Sequence, residues 1–288
     1  MVPFAAGGVQ DILARAINAE LGAQLGRSVI VENRPGAGNT IGTAFVAKAP
    51  PDGNTLILAA ASHTISGSLY AKLAYHPIND FTAVAHIGTV DYVLMTTSTI
   101  PAKSVAEFVA YARANPGKLN YASAGNGSAT HLAMAYFASL AGIELVHVPF
   151  KATGEAINEV LAGRAHAVIA ANIGALAFVK DERVRMLAST GSHRSKFVQL
   201  PTVAESGVPG YVFDSWLGLL APAATPRPVV ESINAAMEKL LREPVILERL
   251  AKQGIEPQAL GVDAFNALLR EDFAKMAKVV KASGARID

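Results

Sequence analysis

The chain has 288 residues, 51% of them hydrophobic and 17% charged, with a formal net charge of +2. That length suits two domains of ordinary size, and no apolar run approaches the length that crosses a bilayer. Positive residues are scattered rather than gathered into a stripe, so no nucleic acid is expected as partner, and the absence of cysteine excludes thiol catalysis, disulfides and thiolate metal sites.

The chain opens on VPFAAGG (2–8), an apolar strand end followed by a loop of small residues. Residues 6–26 then place apolar side chains at Ile12, Leu13, Ala16, Ile17, Leu21 and Leu25, with Asp11 in the first turn and Gly26 at the exit. This pattern predicts a surface helix with one buried face. SVIVEN (28–33) reads as a strand, RPGAGNT as a loop, IGTAFVAKA as a helix, PPDG as a turn and NTLILAA as a buried strand. Such alternation predicts βαβ units and a parallel sheet.

It resumes after PAKS (101–104): helix VAEFVAYARAN, strand LNYAS, loop AGNGSAT, helix HLAMAYFASLAG, strand ELVHVPF, loop KATG, helix EAINEVLAGR, and strands AHAVIAA and VRMLAST. This middle block is expected to form a second sheet. From about Val212 the pattern changes to WLGLLAPAATP and two long helical stretches, RPVVESINAAMEKLLRE and VDAFNALLREDFAKMAKVVKASG, the first with Pro228 near its opening turn. VPFAAGG (2–8) has an echo in VPFKATG (148–154), and both precede a helical pattern, as two lobes would if each offered a strand–loop–helix edge to a shared cleft.

Open α/β sheets bind ligands beyond the carboxyl ends of their strands, where helix N-termini present free backbone N–H groups. FAAGG (4–8), RPGAGNT (34–40) and SAGNGSATH (123–131) fit that description; small residues admit a ligand to the backbone, and Ser128 and Thr130 add hydroxyls or cap the helix. Ordinary capping and turn chemistry explains any one such loop equally well. GAGNTIG (36–42) is one residue too long for a dinucleotide fingerprint and lacks the acidic residue after the next strand; SAGNGSATH lacks the Lys of a P-loop. No G-x-S-x-G elbow occurs. Ser128 and His131 can share a helix face as a nucleophile and base, although a cap and a packing residue is the commoner arrangement. The histidines show no metal-ligand spacing. Lys151, beside the second VPF segment, is a candidate anion partner, and Trp216, the single tryptophan, is a core aromatic by default.

Together, VPFAAGGVQDILAR, VIVENRPGAGNTIGTAFVAKAPPDGNTLIL, DFTAVAHIG, NPGKLNYASAGNGSATHLAMAYF, VHVPFKATGEAINEVLAGRAHAVIA, LPTVAESGVPGY and WLGLLAPAATPRPVVESIN resemble the Bug, or TctC, family of periplasmic solute-binding proteins. The resemblance implies a two-lobed α/β Venus-flytrap fold, each lobe a mainly parallel sheet flanked by helices, with residues 1–100 and 214–288 in one lobe and 101–213 in the other. It implies capture of a small carboxylate in the interlobe cleft, by backbone N–H groups, small hydroxyls and water, and presentation to a tripartite tricarboxylate-type transporter or a sensor. Di- and tricarboxylates, aromatic acids and amino acids all remain open as solutes. Neither cofactor nor metal is implied, and the protein is expected to be periplasmic, monomeric and not an enzyme; the alternative is a hydrolase or transferase using Ser128 and His131.

Carried over by position, the binding residues are Phe4, Ala5, Gly7 and Gly8 in the first loop and Ser123, Ala124, Asn126, Gly127, Ser128, Thr130 and His131 in the second. Ser62, Thr64, Ala171 and Asn172 stand at neighbouring strand ends, with Lys151 nearby. Asn172 stands where amino-acid binders are expected to carry an acid, which favours a solute without an amino group. Family members usually carry an export signal and a longer first strand before VPFAAGG; only Met1 precedes Val2 here, which implies a start inside the natural gene or a shortened chain.

Overall fold

Leu13, Ile17 and Leu21 recur every fourth residue along the first helix, α1 (Val9–Leu25), and all three are buried. Each contributes about 1.5–3 kcal/mol relative to an exposed position, so this stripe fixes the helix on its unit. Ile12, beside the stripe, stays 38% exposed, and the buried face is narrower than the sequence pattern suggests. The computed structural model describes residues 1–7 and 9–286. They fall into two units: Met1–Thr89 with Ser215–Ala277, and Val90–Asp214 with 278–286.

In the first unit α1 leads to a 3-10 turn at Ala37–Asn39, α2 (Thr40–Ala47), β1 (Ile57–Ala60) and α3 (Ser62–Leu69). The turn lies in the RPGAGNT loop, where the Tyr70 hydroxyl donates to Ala37 O at 2.9 Å. Val2 forms an isolated bridge, and Met1 bonds to the chain entering β1. Val2 N–H donates to Glu32 O and Arg34 N–H to Val2 O, a parallel bridge to Asn33, while Leu58 N–H donates to Met1 O. The strand expected over 28–33 is thereby reduced to that one bridge. A strand needs a neighbouring backbone, and Val29, Ile30 and Val31 join no ladder among the described residues; with Ile17, Leu21, Leu56 and Leu58 they line an apolar groove of about 60 Å³.

The long strand β2 (Phe81–Thr97) carries the chain out of the first unit at Thr89. The second unit adds α4 (Val105–Ala114), β3 (Asn120–Ser123), α5 (Ala129–Ala141), β4 (Val146–Pro149), α6 (Thr153–Leu161), β5 (Ala167–Ala171), α7 (Asn172–Leu176) and β6 (Val184–Ser189). Local signals start and stop its helices. Ser104 caps α4, accepting the Glu107 N–H, while the Glu107 carboxylate accepts Lys103 N–H, a near relative of the capping box. Gly142 ends α5 at φ +60, a left-handed turn in which Ile143 N–H reaches back to Ala138 O.

In this unit β3 pairs parallel with β4 on one side and with β5 on the other, as expected from its βαβ pattern. The sheet is nevertheless mixed, because β2 meets β5 and β6 antiparallel. The core includes Val93, Met95, Ala122, Val160, Val168 and Ala170, drawn from the sheet and from α6.

The chain returns through β7 (Asp214–Pro222), α8 (Arg227–Leu240), α9 (Pro244–Lys252), β8 (Glu256–Pro257) and α10 (Val262–Ser283). β7 lies antiparallel to β1, and β8 antiparallel to β2, so where a parallel sheet was expected for the first unit these ladders are antiparallel, beside the parallel Val2–Asn33 bridge. Helix α1 packs on α8 and α9, where Arg249 donates to Ala16 O and to Glu20.

Candidate functional site

Because β3, β4 and β5 run parallel, Ser123, Pro149 and Ala171 stand at one edge of the second unit's sheet. Loops leave this edge for the N-termini of α5, α6 and α7, the place where such sheets gather ligand-binding groups. The expected site residues Ser123 to His131, Lys151, Ala171 and Asn172 all belong to this edge.

The loop into α5 is held by its own side chains. Ser128 is the N-cap, its Oγ accepting His131 N–H at 3.2 Å and lying 3.0 Å from the Thr130 hydroxyl. Thr130 Oγ1 accepts Ala124 N–H at 2.8 Å, Ser123 Oγ accepts Gly125 N–H at 3.1 Å, and His131 Nδ1 accepts Gly127 N–H at 3.0 Å. Gly125 at φ +109 and Gly127 at φ +71 adopt backbone geometry that a side chain would strain. These bonds leave the N–H groups of Asn126, Ala129 and Thr130 without a hydrogen-bond partner among the described residues. Two of them belong to the first turn of a 13-residue helix, whose partial positive charge favours an anion.

His131 and His147 form a stacked pair, their ring centroids 4.0 Å apart and their planes 7° from parallel; Tyr121 stacks on His147 at 4.9 Å. His147 Nε2 lies 2.6 Å from Ser123 Oγ. Burial, reinforced by the neighbouring His147, lowers the His131 pKa to about 4, and burial lowers that of His147. Both rings are neutral at physiological pH. The sequence reading had no signal for His147 or Tyr121, since their meeting depends on the register that sets Tyr121 opposite His147.

Elsewhere on this edge the placements differ. Lys151 is exposed, and its backbone N–H donates to Glu155. Ala171 is half-buried; Asn172 is fully buried at the start of α7.

In the first unit, Phe4 is half-buried while Ala5 and Gly7 are exposed; Gly8 lies outside the described residues. Asp11 organises this loop. Its carboxylate accepts Gly7 N–H at 2.8 Å, Asn33 Nδ2 at 2.9 Å and Arg15 Nε at 3.0 Å, and Asn33 also donates to Phe4 O. The Gly7 bond, then Arg15 and Asn33, hold the Asp11 pKa down to about 2. Gly7's backbone donor is therefore engaged inside the loop. The echo between the two VPF segments is structural: each ends a parallel pairing, leads into a helix, and has a loop N–H accepted by a first-turn acid, Asp11 in one and Glu155 in the other.

Ser62 is half-buried at the start of α3. Thr64, expected at the ligand, is instead a core residue. It is fully buried and its hydroxyl donates to Asp272, which also accepts the Trp216 indole N–H at 2.9 Å. Trp216 is a core aromatic as expected, 3% exposed.

The alternative of a Ser128–His131 nucleophile pair lacks its geometry. His131's Nδ1 lone pair is turned to Gly127 N–H, and Ser128 meets His131 through the backbone. A serine without a base stays a weak nucleophile.

Comparison with known proteins places the chain. The description Tripartite tricarboxylate transporter family receptor matches residues 13–285. An R. palustris protein solved with adipate is 33% identical, covers 99% of this chain and 97% of its own, and superposes with a TM-score of 0.84. MatC from Rhodopseudomonas palustris, with bound malate, is 33% identical over 97% of both chains, with a TM-score of 0.79. The periplasmic binding protein BugD is 31% identical over 99% of this chain and 96% of its own, with a TM-score of 0.80. The chain thus belongs to the tripartite tricarboxylate transporter receptor family, and it is a solute-binding receptor with a periplasmic-binding-protein fold.

Proposed function

We propose that this receptor captures a small carboxylated solute in the periplasm and presents it to the membrane subunits of a tripartite transporter, without chemical turnover and as a monomer. The observation that carries the reading is the 123–131 loop: Ala129 and Thr130 N–H groups at a helix N-terminus, joined by the Asn126 N–H and the Ser128 and Thr130 hydroxyls. That donor set matches a carboxylate and contains no Lys or Arg, so hydrogen bonds and the helix terminus hold the anion. The adipate and malate bound by two similar proteins are carboxylates of this size class. Ala171 and Lys151 of the same unit are the proposed further contacts.

The test is calorimetric titration and thermal melting with mono-, di- and tricarboxylates, aromatic acids and amino acids. A solute at a hundred times its dissociation constant stabilises the protein by about 2.7 kcal/mol. A melting shift with a panel member that is absent with its uncharged amide supports the reading, and no shift across the panel overturns it.

A further inference from the structure

Two imidazoles in the second unit are hydrogen-bonded to one loop. His131 Nδ1 accepts Gly127 N–H at 3.0 Å, so that nitrogen carries a lone pair and no proton. Ser123 Oγ accepts Gly125 N–H at 3.1 Å, and its own proton has two acceptors in reach, Gly125 O at 3.3 Å and His147 Nε2 at 2.6 Å. The two rings are stacked face to face at 4.0 Å. The link to His131 has one direction, loop N–H to imidazole, and Ser123 joins His147 to the same loop.

We infer that the stacked pair His131–His147 positions the 123–127 loop for its solute, and that proton uptake by the pair releases the loop and weakens solute binding. The inference rests on the proposal that this loop holds the carboxylate. A proton on His131 Nδ1 sets one N–H against another, and the Gly127 bond is lost. A proton on His147 Nε2 turns the Ser123 hydroxyl proton away to Gly125 O and sets a positive charge against His131 across the stack. Gly127 sits at φ +71, so losing its bond to His131 returns it to the alternatives glycine allows.

The surroundings keep the pair neutral. Tyr121 on β3 stacks against both rings, and burial raises its phenol pKa, so it supplies no charge. Strand β5, packed against α5, carries no titratable side chain between Ala167 and Ala171. No carboxylate hydrogen-bonds either imidazole among the described residues. The first proton taken up also opposes the second across the stack. His131 and His147 are therefore positioning residues, His131 through the Nδ1 lone pair it gives Gly127 and His147 through the stack and its bond to Ser123.

The experiment uses the full chain, with malate and adipate as probes. Ligand-free protein is titrated from pH 7.5 to 3 by NMR, following the imidazole nitrogens and the amides of Gly125 and Gly127, and affinities are measured over the same range. The Gly127 amide is expected to shift with the His131 midpoint, and affinity to fall about tenfold per pH unit below it, as one proton is expelled on binding. His131→Asn, which keeps an acceptor near the Nδ1 position but takes up no proton, should flatten this fall relative to wild type; dividing the two profiles cancels ionisation of the probe itself. His147→Gln serves as the second variant. Identical profiles in wild type and both variants overturn the inference, as does a Gly127 amide that ignores the His131 titration. If neither probe binds at pH 7.5, the solute reading and the affinity part fall together, while the amide titration still decides whether the pair orders the loop.

Discussion

Thr64 and Asp272, 208 residues apart in sequence, are joined side chain to side chain in the core of the first unit, and the same carboxylate oxygen accepts the Trp216 indole N–H. Asp272 and Thr64 are both buried. Truncating the acid strands the buried Trp216 N–H, while the Thr64 hydroxyl keeps Ala61 O as an acceptor at 2.8 Å. Asp272→Ala should therefore lower the unfolding free energy by about 1–3 kcal/mol. Urea unfolding followed by the fluorescence of Trp216 checks this, and an unchanged midpoint would show that the pair contributes nothing.

His63 gives the stability a pH dependence of its own. Its Nε2 lies 2.8 Å from Pro77 O, Phe81 meets its ring edge-on at 4.8 Å, and Nδ1 has no hydrogen-bond partner. Burial lowers its pKa from 6.5 to about 4. The unfolded chain thus binds a proton between pH 6.5 and 4 that the folded protein refuses. Stability is complete above pH 6.5 and declines as the pH falls towards 4, by about 3 kcal/mol for this group. Denaturant melts at pH 7.5 and 4.5 should show the loss, and His63→Phe should reduce its pH dependence.

Ser128 separates the binding reading from the catalytic one. Ser128→Ala removes the N-cap of α5, costing about 1 kcal/mol, and deletes a proposed carboxylate donor. A lower melting temperature and weaker carboxylate binding are expected together. Ester and amide panels should give no turnover in either wild type or variant; turnover that disappears with Ser128 would reverse the assignment.

Asp11 ties the first unit's loop to α1, and its carboxyl is held near a pKa of about 2. Its folded value lies below the ordinary 3.8, so its contribution is present above pH 3.8 and disappears as the pH falls through about 2. Asp11→Ala should lower the melting temperature at pH 7 and make no difference at pH 2. Faster amide exchange at Gly7 in the variant would identify the freed loop.

Much of the second unit was legible before folding. Ser104, Ser128 and Gly142 mark helix ends through contacts within a few residues, and parallel pairing of β3, β4 and β5 follows from the alternation of apolar runs with helical patterns. The strands β2 and β7 escaped assignment because both are buried on both faces almost throughout, leaving no alternation to read. The segment 28–33 carried the strand composition without a backbone to pair with along most of its length.

By itself the sequence determined the family, the helix caps and the small-residue loops, because these depend on local backbone chemistry and on motifs spread in order along the chain. Only the tertiary structure decided which distant side chains meet one another. Thr64 looked like a strand-end hydroxyl until Asp272 was brought to it, and His147 looked like an isolated strand histidine until parallel register set it beside Tyr121 and His131. Hydrogen-bond partners of buried polar groups are chosen by three-dimensional proximity, and no spacing along the chain encodes them.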